Sequence, residues 1–113
     1  MPRLMLNDEL WSKLREMKSF YTYIMASRRN GTLYVGSTSD LIKRVWEHKN
    51  KVIPESFTAQ YNVHMLVYYE LHGNYMEAAR REQRFKNWCR KWKLNLIEGV
   101  NPKWNDLYEE ICR

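Results

Sequence analysis

Apolar residues recur along this chain at two different spacings, and the switches between them mark out its elements. After Asn7, the residues Leu10, Trp11, Leu14 and Met17 repeat at helical spacing, with Asp8 and Glu9 suited to a first turn. Residues 20–26 and 32–37 then read as strands around Asn30-Gly31, a strong hairpin signal. Ser39 or Asp40 caps "LIKRVWEHK", in which Leu41, Ile42 and Val45 form one apolar face. A loop through Pro54 leads to a third strand, "VHMLVYYEL" at 63–71, which "HGN" closes. From about Asn74 to Trp88 or beyond, Tyr75, Ala78, Ala79, Phe85 and Cys89 mark another amphipathic helix, with an interruption near Lys91. In "NPKWNDLYEEICR" the pattern places Asn101 at an N-cap and Pro102 at the first helical position, with Trp104, Leu107, Tyr108 and Ile111 on one face. The order α-ββ-α-β-α-α predicts a small α/β domain built on an antiparallel hairpin and one more strand.

Polar residues that break these patterns are the candidates for chemistry. Glu82 falls in the middle of the apolar stripe of its helix, while Arg80, Arg81, Arg84 and Asn87 are placed on the opposite side. A carboxylate turned toward a core needs a cation, a metal or strong donors. Lys86, one turn on, is an in-helix partner, so a structural Glu82–Lys86 pair stands beside a functional carboxylate as an equal reading. Arg44 and His48 are one turn apart and flank the apolar face of theirs. They suit an anion such as phosphate, Arg through its donor fork and His as donor or proton shuttle, although a solvated helix flank has the same spacing. In the hairpin, a four-residue loop from Arg28 to Gly31 sets Tyr34 opposite Met25 and Tyr23 opposite Gly36. Both tyrosines then share a face, with room for a ligand between them and Gly36; Tyr21, Tyr68 and Tyr69 read as packing.

The chain has 113 residues, 44% hydrophobic and 28% charged, which suits one folded domain and excludes a disordered polyelectrolyte. A net charge of +6 tilts its field toward polyanions such as nucleic acid. Cys89 and Cys112 lack a CxxC or a nearby His pair, so reduced, partly buried thiols are expected rather than a zinc or redox site. With no hydrophobic leader and no bilayer-length apolar run, the expectation is a soluble, intracellular, cytoplasmic protein with no membrane partner.

Together these residues resemble the GIY-YIG nuclease family. "YTY" at 21–23 stands for the first motif and "YVG" at 34–36 for the second, followed by Arg44 and His48 in "DLIKRVWEH" and Glu82 in "EAARREQRFK". The resemblance covers roughly residues 20 to 102 and is greatest to the small standalone branch, through "LYVG", "TSDL" and the tail from Lys93 to Leu107; it extends to the catalytic domain of the excision-repair incision subunit. Tyr21-Thr22 replaces the Gly-Ile of the family name and Val35 its second Ile. The resemblance implies an α+β domain at 19–113, a three-stranded antiparallel sheet flanked by helices; the helical extension expected at 1–18 from its periodicity lies outside the resemblance. The resemblance also implies a one-metal phosphodiesterase acting on DNA, RNA not being excluded, and linked to repair or recombination. Tyr34 would be the general base, Tyr23 its positioning partner, Arg44 and His48 the phosphate contacts, and Glu82 the ligand of one Mg²⁺ or Mn²⁺. Gly36 would keep the strand bare for the nucleic-acid backbone, with Lys86, Arg28 and Arg29 as further nucleic-acid contacts; Asn101 matches the family's downstream Asn and reads equally as a helix cap. A homodimer or a repair-complex partner would use the N-terminal helix. The alternative is a non-catalytic nucleic-acid-binding module or interaction subunit with the same fold, its phosphate contacts drawn from Arg28, Arg29, Arg80, Arg81, Arg84, Arg90, Lys91 and Lys93.

Overall fold

The computed structural model describes residues 19–113, so the expected N-terminal helix and the 1–18 extension lie outside the described residues. Three strands, β1 (Phe20–Ala26), β2 (Leu33–Thr38) and β3 (Met65–His72), form an antiparallel sheet in the order β2-β1-β3. The expected α+β architecture is therefore present. β1 is central and Thr22 to Ala26 are buried without alternation, because helices cover both of its faces. One face packs Ile24, Val35, Val67 and Tyr68 against Phe85 and Ile97 of α3 (Tyr75–Asn87) and α4 (Arg90–Val100). The other packs Tyr23, Met25 and Leu66 against Leu41 and Val45 of α1 (Leu41–Lys49), flanked by α2 (Phe57–Gln60) and α5 (Tyr108–Ile111).

The hairpin has the expected register, with Tyr23 paired to Gly36 and Met25 to Tyr34. Ser27 N–H donates to Thr32 C=O at 3.0 Å, leaving the four residues Arg28 to Gly31 as the loop. Asn30, with φ of 57°, takes the left-handed position. Gly31 is required for a different reason: a Cβ there would lie 2.4 Å from Ser27 Oγ. Arg90 closes the turn from outside, donating to the carbonyls of Asn30 and Gly31 at 2.8 and 2.7 Å.

Asp40 caps α1 by accepting from Lys43 N–H at 3.1 Å, and Asn74 caps α3 by accepting from Glu77 N–H at 2.9 Å. Trp88 adopts extended backbone and breaks the helix before Arg90, so the interruption falls earlier than Lys91 and leaves Cys89 exposed. Cys112 is exposed as well, which corrects the expectation of partly buried thiols. Arg81 is likewise not on the solvent side: it pairs with Glu70 at 2.8 Å and lies over the Phe85 ring at 4.5 Å. Phe85 is fully buried, and Phe85→Ala is expected to cost about 3–5 kcal/mol, read as a lowered urea midpoint.

The C-terminal segment departs most from its pattern. Asn101 ends α4 rather than starting a helix, and only Tyr108–Ile111 is helical. Its buried side chain donates to Val67 C=O and Asn105 C=O and accepts from Asn105 N–H, all at 2.9–3.1 Å. Asp106 accepts from Leu66 N–H, and Leu107 N–H donates to Leu66 C=O at 2.8 Å. These bonds tie the segment along β3 and cover that edge of the sheet. The opposite edge, β2, pairs on one side only among the described residues.

Candidate active site

Tyr23, Tyr34, Arg44, His48 and Glu82 gather at the β2 edge, but from both faces of the sheet. Tyr23 lies on the central strand and its ring crosses β2 above Gly36, where a Cβ would sit 2.6 Å from the phenolic oxygen. The space over Gly36 is thus filled by Tyr23, not left open for a ligand or for a nucleic-acid backbone. This corrects both expectations about Gly36: the glycine is what lets the phenol reach the edge. Gly36→Ala is expected to displace a fully buried ring, costing about 1–3 kcal/mol and separating Tyr23 from its partner. Urea unfolding measures the first effect and single-turnover cleavage the second.

That partner is His48, whose Nε2 lies 3.0 Å from the Tyr23 oxygen, while its Nδ1 lies 2.8 Å from Thr58 Oγ1. Burial raises the Tyr23 pKa well above the ordinary phenol value, the Tyr34 phenol and the Glu82 carboxylate push the same way, and Arg44 opposes them. Burial, helped by the Arg44 charge, lowers His48 below its usual 6.5, with Glu47 opposing. With a protonated phenol beside a neutral imidazole the chain of bonds runs one of two ways: Tyr23 O–H donates to Nε2 and Nδ1–H to Thr58, or Thr58 O–H donates to Nδ1 and Nε2–H to the Tyr23 oxygen. Thr58 is itself buried on α2, and Ser56 beside it caps that single turn by accepting from Ala59 N–H at 3.2 Å. Thr58 was not visible as a site residue in the sequence, because one Thr on a four-residue helix leaves no periodic trace.

His48 has a pH consequence. In the window between its lowered folded value and 6.5, the unfolded chain binds a proton that the folded chain refuses. Stability from this source is present above 6.5 and is lost as pH falls through the folded value. An NMR titration of His48 should give a pKa below 6.5; a value above it would remove the neutral imidazole from the arrangement.

Tyr34 is partly exposed in front of this pair, with its ring centroid 5.2 Å from His48 and 6.3 Å from Tyr23. Arg44, on α1 and near enough to act on the Tyr23 phenol, is half-exposed, with Nε 3.3 Å from Glu47 Oε1. A surface pair of that kind contributes about 0–1 kcal/mol, so the guanidinium can turn to an incoming anion. A cleft of about 190 Å³ opens beside Arg44 and His48, bounded by Val52 and Ile53.

Glu82 reaches the same strand from the other face. Thr22 Oγ1 donates to Ala78 C=O at 2.9 Å and pins α3 to β1; one turn later Ser37, which pairs with Thr22 in the sheet, donates to Glu82 Oε1 at 2.5 Å. Lys86 Nζ lies 2.6 Å from Oε2, so the expected in-helix pair forms too. Among the described residues there is no group of three or more His, Cys, Asp or Glu able to cage a metal. One carboxylate beside a hydroxyl is instead the donor set of a hard cation that keeps most of its shell as water. Lys86 is exposed enough to yield Oε2 at small cost. Ser37 is the other residue the sequence did not single out. Arg28 and Arg29 are exposed in the hairpin turn, beyond Leu33, and Asn101 lies across the sheet at β3, outside the cluster. Arg81 and Arg90, two of the eight cations proposed for a binding module, also make structural contacts, to Glu70 and to the turn carbonyls.

The GIY-YIG catalytic domain model matches residues 19–95, and the chain belongs to that family, within a nuclease superfamily. It is 36% identical over 85 residues to a UPF0213 protein of Bacillus pumilus, covering 75% of this chain and 85% of that one. It is also 34% identical over 91 residues to a UPF0213 protein of Clostridium perfringens, covering 80% and 96%. Among solved structures it is similar to the solution NMR structure of a UPF0213 protein from Bacillus halodurans, with a TM-score of 0.49, 24% identity, and coverage of 78% and 92%. No helix among the described residues is long and apolar enough to cross a membrane.

Proposed function

We infer that the protein is a metal-dependent DNA endonuclease and that the β2 edge is its phosphodiesterase site. The observation that carries this reading is the convergence on four consecutive residues of one edge strand. Tyr34 and the Tyr23 ring over Gly36 approach from one face, and Glu82 approaches through Ser37 from the other. Packing alone does not require a phenol, an imidazole, a guanidinium and a carboxylate at one edge.

Tyr34, the exposed phenol of the pair, would act as phenolate and take the proton from the attacking water, whose oxygen forms the new P–O bond as the bond to the leaving oxygen breaks and that oxygen takes a proton from solvent. A phenol with ordinary pKa near 10 needs positive charge nearby to do so, and Arg44 supplies it while gripping the phosphoryl oxygens. The buried Tyr23 and the partly buried His48 act as one unit that fixes the wall against which Tyr34 stands, with Thr58 setting the imidazole. Glu82 would hold one Mg²⁺ or Mn²⁺, with Ser37 orienting the carboxylate. That ion would supply charge to the phosphate and its leaving oxygen. Lys86, now paired with Glu82, would be available to the phosphate once that carboxylate held an ion.

The substrate we infer is a structural class: a branch, flap or nick met during repair or recombination. The test is a labelled panel of branched, flapped, nicked and linear DNA with matched RNA strands, incubated with Mg²⁺, Mn²⁺ or EDTA. Metal-dependent products from one class name the substrate. Binding without products under every condition replaces the enzyme with a non-catalytic module.

A further inference from the structure

The catalytic rings continue outward into a row of aromatics that the sheet does not use. Tyr34 faces His48 at 5.2 Å, Phe57 follows Tyr34 at 6.2 Å with 31° between planes, and Tyr61 follows Phe57 at 4.6 Å with 37° between planes. Phe57 and Tyr61 are 44% and 54% exposed, an unusual condition for two adjoining rings that carry no core packing of their own. Their position is nonetheless fixed. They flank the single turn of α2, whose inner side is held by buried Thr58 on His48 and by the Ser56 cap. The same small helix therefore sets the imidazole on one side and presents the two rings on the other.

We propose that Phe57 and Tyr61 are a stacking platform for unpaired nucleobases next to the scissile phosphate, so that the substrate carries nucleotides outside a continuous duplex. The proposal rests on the reading of the β2 edge as a hydrolytic site. With a phosphate at Arg44 and Tyr34, the neighbouring nucleotide is placed at Phe57 and the next at Tyr61. Flat apolar faces of this kind reward bases whose own faces are free. In an intact duplex those faces are already stacked, and only edges and phosphates are presented. The exposed Val52 and Ile53 border the adjoining cleft and add apolar surface, while the chain's net charge of +6 favours the strand's phosphates.

The test compares the binding of a 5′-flapped duplex and a blunt duplex of the same sequence to the wild type and to Phe57→Ala, Tyr61→Ala and Tyr61→Phe, by fluorescence anisotropy in EDTA. Each alanine variant should weaken flap binding by about fivefold or more and leave blunt-duplex binding little changed, while Tyr61→Phe should stay near wild type. A 2-aminopurine placed at the first unpaired position should be quenched by wild type and less so by Phe57→Ala. Equal losses on both duplexes, or no loss on either, would overturn the proposal. Ring-dependent flap binding with no cleavage in Mg²⁺ or Mn²⁺ would uphold the platform and remove only the hydrolytic reading.

Discussion

Glu82→Ala is expected to lower metal-dependent cleavage by about 10³-fold while DNA binding is retained. The magnitude follows from what the side chain does in the structure. It is a carboxylate held at the β2 edge on the α3 face of the sheet, oriented by Ser37 at 2.5 Å and compensated by Lys86 at 2.6 Å. Removing it leaves Ser37 and Lys86 able to turn to water, so the fold has little reason to suffer. Lys86 then remains free to contact phosphate, which preserves affinity. Single-turnover rates with parallel anisotropy separate the two effects, and retained cleavage in this variant would take Glu82 out of the reaction.

Tyr34→Phe should lower the rate by about 10²–10⁴-fold with unchanged metal dependence and unchanged DNA affinity. The ring contacts to His48 and Phe57 persist in phenylalanine, so only the oxygen is lost. Tyr23 cannot take over, because its hydroxyl is buried, bonded to His48, and held in the protonated form by that burial. Full activity in Tyr34→Phe would instead assign the proton transfer to another group and leave Tyr34 as a wall of the site. A rate that falls together with DNA affinity would mark it as a binding residue.

How much of this was legible before the structure differs from element to element. The hairpin register was legible because the loop length and the period of two leave one consistent pairing, and Tyr23 opposite Gly36 follows from arithmetic. What that pairing meant was not. A glycine across from a tyrosine looks like an empty place, whereas the ring folds over it, which depends on β1 being central and buried on both faces. Glu82 announced itself by interrupting an apolar stripe. Its arrival at the opposite face from the tyrosines needed the packing of α3 on β1 and β2, which no local pattern encodes. Asn101-Pro102 carried a good helix-start signal, yet the Asn side chain bonds to Val67 and Asn105 instead, and these tertiary bonds outweigh the local preference. Ser37 and Thr58 act by holding Glu82 and His48, a duty visible only in three dimensions.

The most direct test of the β2 edge as a hydrolytic site is the single-turnover cleavage of one labelled flapped duplex by wild type and Glu82→Ala, with Mg²⁺ or EDTA, binding being recorded on the same samples. Cleavage confined to wild type in Mg²⁺, with bound DNA in all four samples, is the expected result. Cleavage that survives EDTA or the loss of Glu82 would contradict it.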